Sequence, residues 1–221
     1  MNSEKNGEKI KRGFKKFWFL LWRDNSFKGW IFSLVFLFVF VKFIFFPVLS
    51  FVTGTPLPLA IVESCSMYHQ DSLFSGFDSW FDRHESKYEE INIIKEDFQG
   101  FTLRRGFNKG DILFIIGANP EKLKTGDVIL FNSQNKKNPV IHRIIKIEEK
   151  DGEKIFTTMG DNNNQILTPE NNMAGIDERE IKKEQLVGKA VFRVVPWFGW
   201  VKLIFFEYSR PESERGFCEE N

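Results

Sequence analysis

The sequence predicts a mainly β, antiparallel domain that follows one N-terminal transmembrane helix and is interrupted by a partly helical inserted cap. Three observations carry this. One apolar run, broken by a single lysine, is long enough to cross a bilayer, short apolar runs separated by turn residues fill the later chain, and residues 70–108 break that rhythm. A length of 221 residues suits one sizeable domain with an appendage.

The anchor comes first. Gly29 to Val41 reads GWIFSLVFLFVFV without a charge, and beyond Lys42 apolar residues continue to Val62. About 20 apolar residues cross a bilayer, and Trp30 to about Leu49 supply them, so residues 29–50 are read as the span. Pro47 weakens the helix near its far end, and Gly54, Pro56 and Pro58 end it. Lys42 either carries its ammonium to the far interface on its long stem or is a functional intramembrane charge; snorkelling is the simpler reading. Residues 1–28 form a basic segment, with Lys5, Lys9, Lys11, Arg12, Lys15, Lys16, Arg23 and Lys28 against Glu4, Glu8 and Asp24. Positive flanks stay in the cytoplasm. Phe14–Trp22, FKKFWFLLW, suits an interfacial helix on the inner leaflet. A cleavable signal peptide is the rival, but the apolar run is too long and no A-x-A site follows it. The expectation is an uncleaved single-pass anchor with residues 51–209 outside the cytoplasm.

In that outer domain the predicted strands are Leu59–Val62, Asp111–Ile116, Asp127–Phe131, Ile141–Ile147, Ile155–Met159 and Val187–Val194. Lys109-Gly110, Thr125-Gly126, Asn138-Pro139, Lys150-Asp151-Gly152 and Gly160-Asp161 supply turns between them. Connections too short for crossover helices make the pairing antiparallel. In the insert, Phe74, Phe77, Trp80 and Phe81 are spaced as one helical apolar stripe, which packs on the domain or meets lipid. Pro196–Phe206 is half the length of a span; it lies at the membrane interface or completes the β core. Residues 210–221 read as a loose polar tail.

A net charge of +1 offers no support for nucleic-acid binding. Two cysteines, Cys65 and Cys218, are too few for a disulfide scaffold and lack metal-site spacing; with only His69, His84 and His142, a zinc site is disfavoured as well. Ser66, just after the strand-like LAIV, gains interest beside His142 in VIHRI and Asp161 in TMGDNN. A serine nucleophile needs a base, and the base needs an orienting carboxylate. Cys65 is a rival nucleophile, but in an extended segment its side chain points away from that of Ser66, and it reads as a packing residue. His84 and Cys218 have no partner legible in the sequence.

The anchor, Ser64-x-Ser66-Met67, Gly110-Asp111-Ile-Leu-Phe, Gly126-Asp127-Val-Ile-Leu-Phe, His142-Arg143 and Gly160-Asp161-Asn-Asn, in this order, resemble type I signal peptidases of the archaeal and eukaryotic ER branch. The resemblance runs with interruptions to Val187-Gly-Lys-Ala-Val-Phe-Arg193. It implies an antiparallel β catalytic domain of signal peptidase type and a membrane-bound serine endopeptidase that removes signal peptides from exported preproteins after small residues. Its partners are signal peptides, the lipid bilayer and, in a complex, a translocation channel or accessory subunits. Its place is the cell membrane, or the ER membrane of a eukaryote, and no cofactor or metal is implied.

Carried over, Ser66 is the nucleophile, His142 the general base and Asp161 the acid that orients it. Ser64 falls where relatives place a hydroxyl that helps hold the oxyanion; turn capping is its other reading. Two departures stand out. Many relatives carry a second aspartate where this chain has Leu167, and Glu170 or Asp177 is the candidate replacement. Tyr68-His69 follows Ser66-Met67 in place of an acidic-Pro pair, which makes His69 a rival base, although the His-Arg strand motif favours His142. The rival functions are a non-catalytic, peptidase-like membrane protein that binds exported segments or scaffolds a translocation complex, and a purely structural envelope domain.

Overall fold

The computed structural model describes residues 2–70, 76–133, 138–172 and 174–220, leaving aside the side chains of 2–6 and 213. The chain divides into two compact units, Met1–Val52 and Thr53–Asn221.

The first unit is helical. Helix α1 spans Asn2–Trp22, well before the expected Phe14, and α2 spans Phe27–Phe40. Ser26 caps α2 by accepting from the Gly29 amide at 3.1 Å. The two helices pack together: Phe17 meets Phe32 and Phe36 edge-on, and the Ser33 hydroxyl donates to Leu21 O at 3.0 Å. From Phe27 to Thr53 runs one helix long and apolar enough to cross a membrane. It continues through Pro47 as α3 (Phe46–Thr53) and stops before Gly54, where the sequence ends it. A wider turn over Val41–Phe45 precedes the proline, with the Phe46 amide donating to Val41 O. Proline cannot bond to the carbonyl four residues back and its ring crowds that group; the wide turn is the local adjustment that lets the helix pass it. Gly54, at φ +69°, then ends the helix in a conformation that side chains disfavour. Lys42 rests its ammonium 5.3 Å from the Phe43 ring and 5.6 Å from that of Phe38.

The second unit holds one antiparallel six-stranded sheet in the order β1-β2-β6-β3-β4-β5. Its strands are β1 (Leu59–Ile61), β2 (Ile112–Ile116), β3 (Val128–Phe131), β4 (Val140–Lys150), β5 (Glu153–Met159) and β6 (Leu186–Val195). All six lie where the apolar runs put them. Asp151 and Gly152, both at positive φ, make the tight β4–β5 turn that the twist of paired strands favours. Side chains alternate along each strand. Val128 and Leu130 therefore join Val62, Met67, Leu113 and Ile115 in one apolar cluster, while Ile129 and Phe131 join Val140, Ile144, Phe156, Ile176 and Ile181 in another.

The insert is partly helical as expected, with α4 (Phe77–Glu89) and α5 (Lys95–Gln99). Phe77, Trp80, Phe81, Tyr88 and Phe98 bury themselves against Ile145 and Met159 in a third cluster, so this stripe packs on the sheet. Phe74 lies outside the described residues. His84 stacks on Trp80 and bonds to its carbonyl.

Pro196–Phe206, with the short helix α6 (Trp200–Leu203), does not complete the core. Leu203 is buried, but Trp197, Phe198, Val201, Ile204, Phe205 and Phe206 are exposed.

Two expectations are corrected beyond it. Cys65 and Cys218 form a disulfide, although neither spacing nor number suggested one; it closes a loop with a sequence separation of 153, worth about 5 kcal/mol in a chain-entropy account. The expected loose tail, residues 210–221, is tied down as far as residue 220. Buried Lys109 donates to Glu207 Oε1 at 2.5 Å, Glu214 O at 2.7 Å and Gly216 O at 3.2 Å, and Arg210 reaches Glu63.

Candidate active site

Strand β4 carries His142 and Arg143 side by side, and neighbours on a strand leave opposite faces of the sheet. His142 pairs with Ile129 across the β3–β4 ladder, and its ring is almost wholly buried. Its Nδ1 meets the Glu178 carboxylate at very short range. Glu178 is fully buried. Its Oε1 also accepts from the Thr158 hydroxyl at 2.8 Å, and its Oε2 from the Leu167 amide at 2.8 Å. A carboxylate receiving donors on both oxygens is an acceptor, so His142 Nδ1 donates to it, and in the neutral ring this leaves the lone pair on Nε2. The backbone of Glu178 is itself fixed: its carbonyl accepts from Thr158 N and its amide donates to Leu167 O.

Arg143 leads to the other face and takes Asp161 with it. The guanidinium donates to Asp161 through Nε at 2.9 Å and through Nη2 at 2.6 Å. It also donates to Thr102 O, Gly126 O and Leu103 O. His69 Nε2 lies 2.9 Å from the same carboxylate, and the Tyr88 hydroxyl donates to it at 3.2 Å. Burial alone would raise the Asp161 carboxyl, but the Arg143 charge overrides it and holds the group well below the usual carboxylate range. Burial also pushes His69 down to about 4, against the opposing pull of Asp161. At neutral pH His69 is uncharged and donates through Nε2, with its ring stacked on Trp80 at 3.4 Å.

The expectation that Asp161 orients His142 is therefore corrected: the carboxylate facing His142 is Glu178, because residues 142 and 143 point apart and Asp161 is committed to Arg143. His69, sealed within the Asp161 cluster, is likewise placed away from the base position.

Neither candidate for the second acid faces the imidazole. Glu170 is exposed, with a carboxyl lowered chiefly by a hydrogen bond with Thr168. Asp177 turns outward and pairs with Arg179 through two bonds of 2.9 and 2.6 Å. The segment is extended, so burial alternates: Ile176 and Glu178 face in, while Asp177 and Arg179 face out. Alternation from Ile176 was the signal for Glu178.

Ser66 sits in the turn after β1. Its hydroxyl lies 3.1 Å from that of Ser64, its carbonyl accepts from Asn162 N at 2.8 Å, and the Asp161 amide donates to Met67 Sδ at 3.3 Å. Gly160 makes this approach feasible, since a Cβ there would come within 2.7 Å of Ser66 O. Asp161 thus holds the Ser66 turn through its backbone, and Lys87 braces the same loop by donating to Asp161 O and Asn163 O.

Ser64, Ser66 and His142 open onto one cleft of about 420 Å³. Leu59, Ile61, Leu130, Val140 and Ile176 make it apolar, and Glu63, Lys202, Arg210 and Glu214 edge it with charge. Strand β1 is the sheet's edge and forms one side of the cleft. The arrangement offers a hydroxyl, an imidazole with a buried carboxylate behind it, and the edge strand β1, the kind of strand to which an extended peptide adds. Among the described residues no group of three or more His, Cys, Asp or Glu side chains is arranged to hold a metal.

No family model matches the chain. Its homologues are catalytic subunits of signal peptidase complexes, at modest identity over about half the chain. It is 28% identical over 110 residues to the signal peptidase complex catalytic subunit SEC11C of Homo sapiens, covering 49% of this chain and 55% of the relative. To the catalytic subunit SEC11 of Zygosaccharomyces rouxii it is 31% identical over 103 residues, 46% of this chain and 59% of the relative. With that of Lachancea thermotolerans the match is 38% over 64 residues, 28% and 38% of the two. The chain spans about half the length of the curated relatives it matches.

Proposed function

We propose, from homologues that are signal peptidase catalytic subunits, that this chain is a membrane-bound serine endopeptidase that cleaves N-terminal signal peptides from exported preproteins after small residues. The observation that carries the reading is the buried His142–Glu178 pair opening onto the cleft that Ser66 shares.

The extended segment of a preprotein pairs with the edge of β1, and apolar side walls accept its small side chains. Ser66 Oγ attacks the scissile carbonyl while His142 Nε2 takes its proton, and Glu178 steadies the imidazolium that forms. The Ser66 amide and the Ser64 hydroxyl hold the oxyanion, whose charge develops where they point. His142 then returns the proton to the leaving amine. Water, activated by the same imidazole, releases the acyl-enzyme. Ser64 within hydrogen-bond reach of Ser66 supports this role over turn capping.

The helix Phe27–Thr53 anchors the chain, with the basic segment 1–28 in the cytoplasm and residues 51–209 on the outer or lumenal face. Confinement to the substrate's own membrane raises its effective concentration. The exposed aromatics of Pro196–Phe206 suit the membrane interface. The relatives' names place them in a complex, and this chain works with accessory subunits in the same way.

The absence of an acid at Leu167 favours a scaffold without catalysis; Glu178, bonded to the Leu167 amide and facing His142, supports the catalytic reading instead. The test is cleavage of a signal-bearing model preprotein by the detergent-solubilised chain, with the product located by mass. A cut after a small residue, absent with folded Ser66→Ala and His142→Ala, is the expected result. Equal cleavage by Ser66→Ala would refute the reading.

A further inference from the structure

The segment from Glu207 to Glu220 is bound to the Ser66 turn from two directions. The Cys65–Cys218 disulfide joins it covalently to the residue before Ser66. Beside that bond, the Asn162 side-chain amide donates both to Cys65 O at 3.1 Å and to Glu219 O at 2.9 Å, while its backbone amide holds Ser66 O. The turn bearing the nucleophile is therefore gripped between the Gly160–Asn163 loop and this segment.

The rest of the segment is anchored elsewhere, so the grip has something rigid behind it. Lys109, fully buried, binds Glu207 and the carbonyls of Glu214 and Gly216; the Phe217 ring meets Trp200; Arg83 holds Glu220. Two of its residues also edge the cleft. Arg210 donates to Glu63 O at 2.7 Å and Glu63 Oε2 at 3.0 Å, next to Ser64, and Glu214 lies on the same rim.

We propose that the segment Glu207–Glu220 is a working part of the active site: tied by the Cys65–Cys218 disulfide, it positions Ser66 from behind and supplies one wall of the cleft through Arg210, so that activity requires the oxidised form. The proposal rests on the peptidase reading and adds its regulation. Both cysteines are half-buried, and Cys218 borders a surface hollow beside Lys109 and Trp197, which gives a reductant access. A dithiol breaks the Sγ–Sγ bond, two electrons and two protons pass to the cysteines to give two thiols, and the dithiol leaves as its own cyclic disulfide. A chain in a reducing compartment is then held inactive, and disulfide formation on the oxidising side switches it on.

The two roles predict different kinetic signatures. Cys65→Ser/Cys218→Ser, or wild type reduced by a dithiol, should lose about tenfold or more in kcat with KM within about threefold, because positioning acts on the chemical step. Arg210→Ala should raise KM about fivefold with kcat largely kept, and Arg210→Lys should recover part of it. Reoxidation of the reduced wild type should restore the rate. Amide hydrogen exchange of residues 64–67 gives a readout independent of catalysis, and reduction should speed it about tenfold. Unchanged exchange on reduction, or full kcat in the reduced and still folded chain, overturns the proposal. If the reduced chain does not stay folded, an unchanged KM for Arg210→Ala overturns it. Loss of cleavage by oxidised wild type, with residues 64–67 fully protected, would instead count against the peptidase reading.

Discussion

His142 and Glu178 meet inside the sheet, the imidazole Nδ1 against a carboxylate whose two oxygens are already held by Thr158 and the Leu167 amide. An acid so restrained cannot swing away, and the imidazole is fixed in one tautomer and one orientation. The His142 partner comes from residue 178, and the Leu167 amide points at the same carboxylate.

Transferring the carboxylate to position 167 is the first test. In Leu167→Asp/Glu178→Gln, the new carboxylate starts from the backbone that now bonds Glu178. Cleavage about tenfold or more above that of Glu178→Gln alone is expected, and no recovery would mean that position 167 does not reach His142.

The acids outside the cleft should be dispensable. Asp177→Asn removes only an exposed pair with Arg179, and Glu170→Gln a solvent-facing carboxyl. Steady-state cleavage within about twofold of wild type is expected for both; a hundredfold loss in either would reassign the orienting acid.

Asp161→Asn should act on folding. It leaves the fully buried Arg143 guanidinium without its counter-charge, and uncompensated buried charges cost about 3–5 kcal/mol. Urea unfolding of the detergent-solubilised chain would register that as a lower midpoint with an unchanged slope. The Ser66 turn should loosen with it, because the Asp161 and Asn162 amides hold Met67 and Ser66.

Acid should weaken the fold through His69. Burial lowers its folded value to about 4 from the ordinary 6.5, so between those values the unfolded chain takes up a proton that the folded chain refuses. Stability therefore falls as pH drops through this window, by about 3 kcal/mol when complete. Asp161 stays charged in the folded state throughout, and its contribution is lost only at lower pH. His69→Gln, which keeps a donor for Asp161, should flatten the profile between pH 6.5 and 4; an unaltered slope in denaturant titrations would assign the titration elsewhere.

What the sequence made legible follows from period. Six strands were visible because apolar runs alternate with glycine-bearing turns, and the insert because its aromatic spacing is helical. The cleft residues Ser64, Ser66 and His142 were legible through ordered motifs. Glu178 is not legible beside its neighbour Asp177, since Ile176 alone marks which of the pair faces inward, and that depends on an extended conformation fixed by Thr158 and Ile181. The Cys65–Cys218 bond joins residues far apart in sequence, brought together where Lys109 binds the last segment and Arg210 of that segment binds Glu63. The helix through Pro47 depended on a wide turn that no residue type announces.

The most direct measurement is preprotein cleavage by folded Glu178→Gln beside wild type, Ser66→Ala and Asp177→Asn. The account predicts that Glu178→Gln loses about 10²–10⁴ in kcat, since the imidazole loses both its tautomer control and the charge that stabilises it. Asp177→Asn should cleave normally, and Ser66→Ala not at all. Glu178→Gln cleaving like wild type, with near-ultraviolet circular dichroism intact, would contradict the Ser66–His142–Glu178 arrangement.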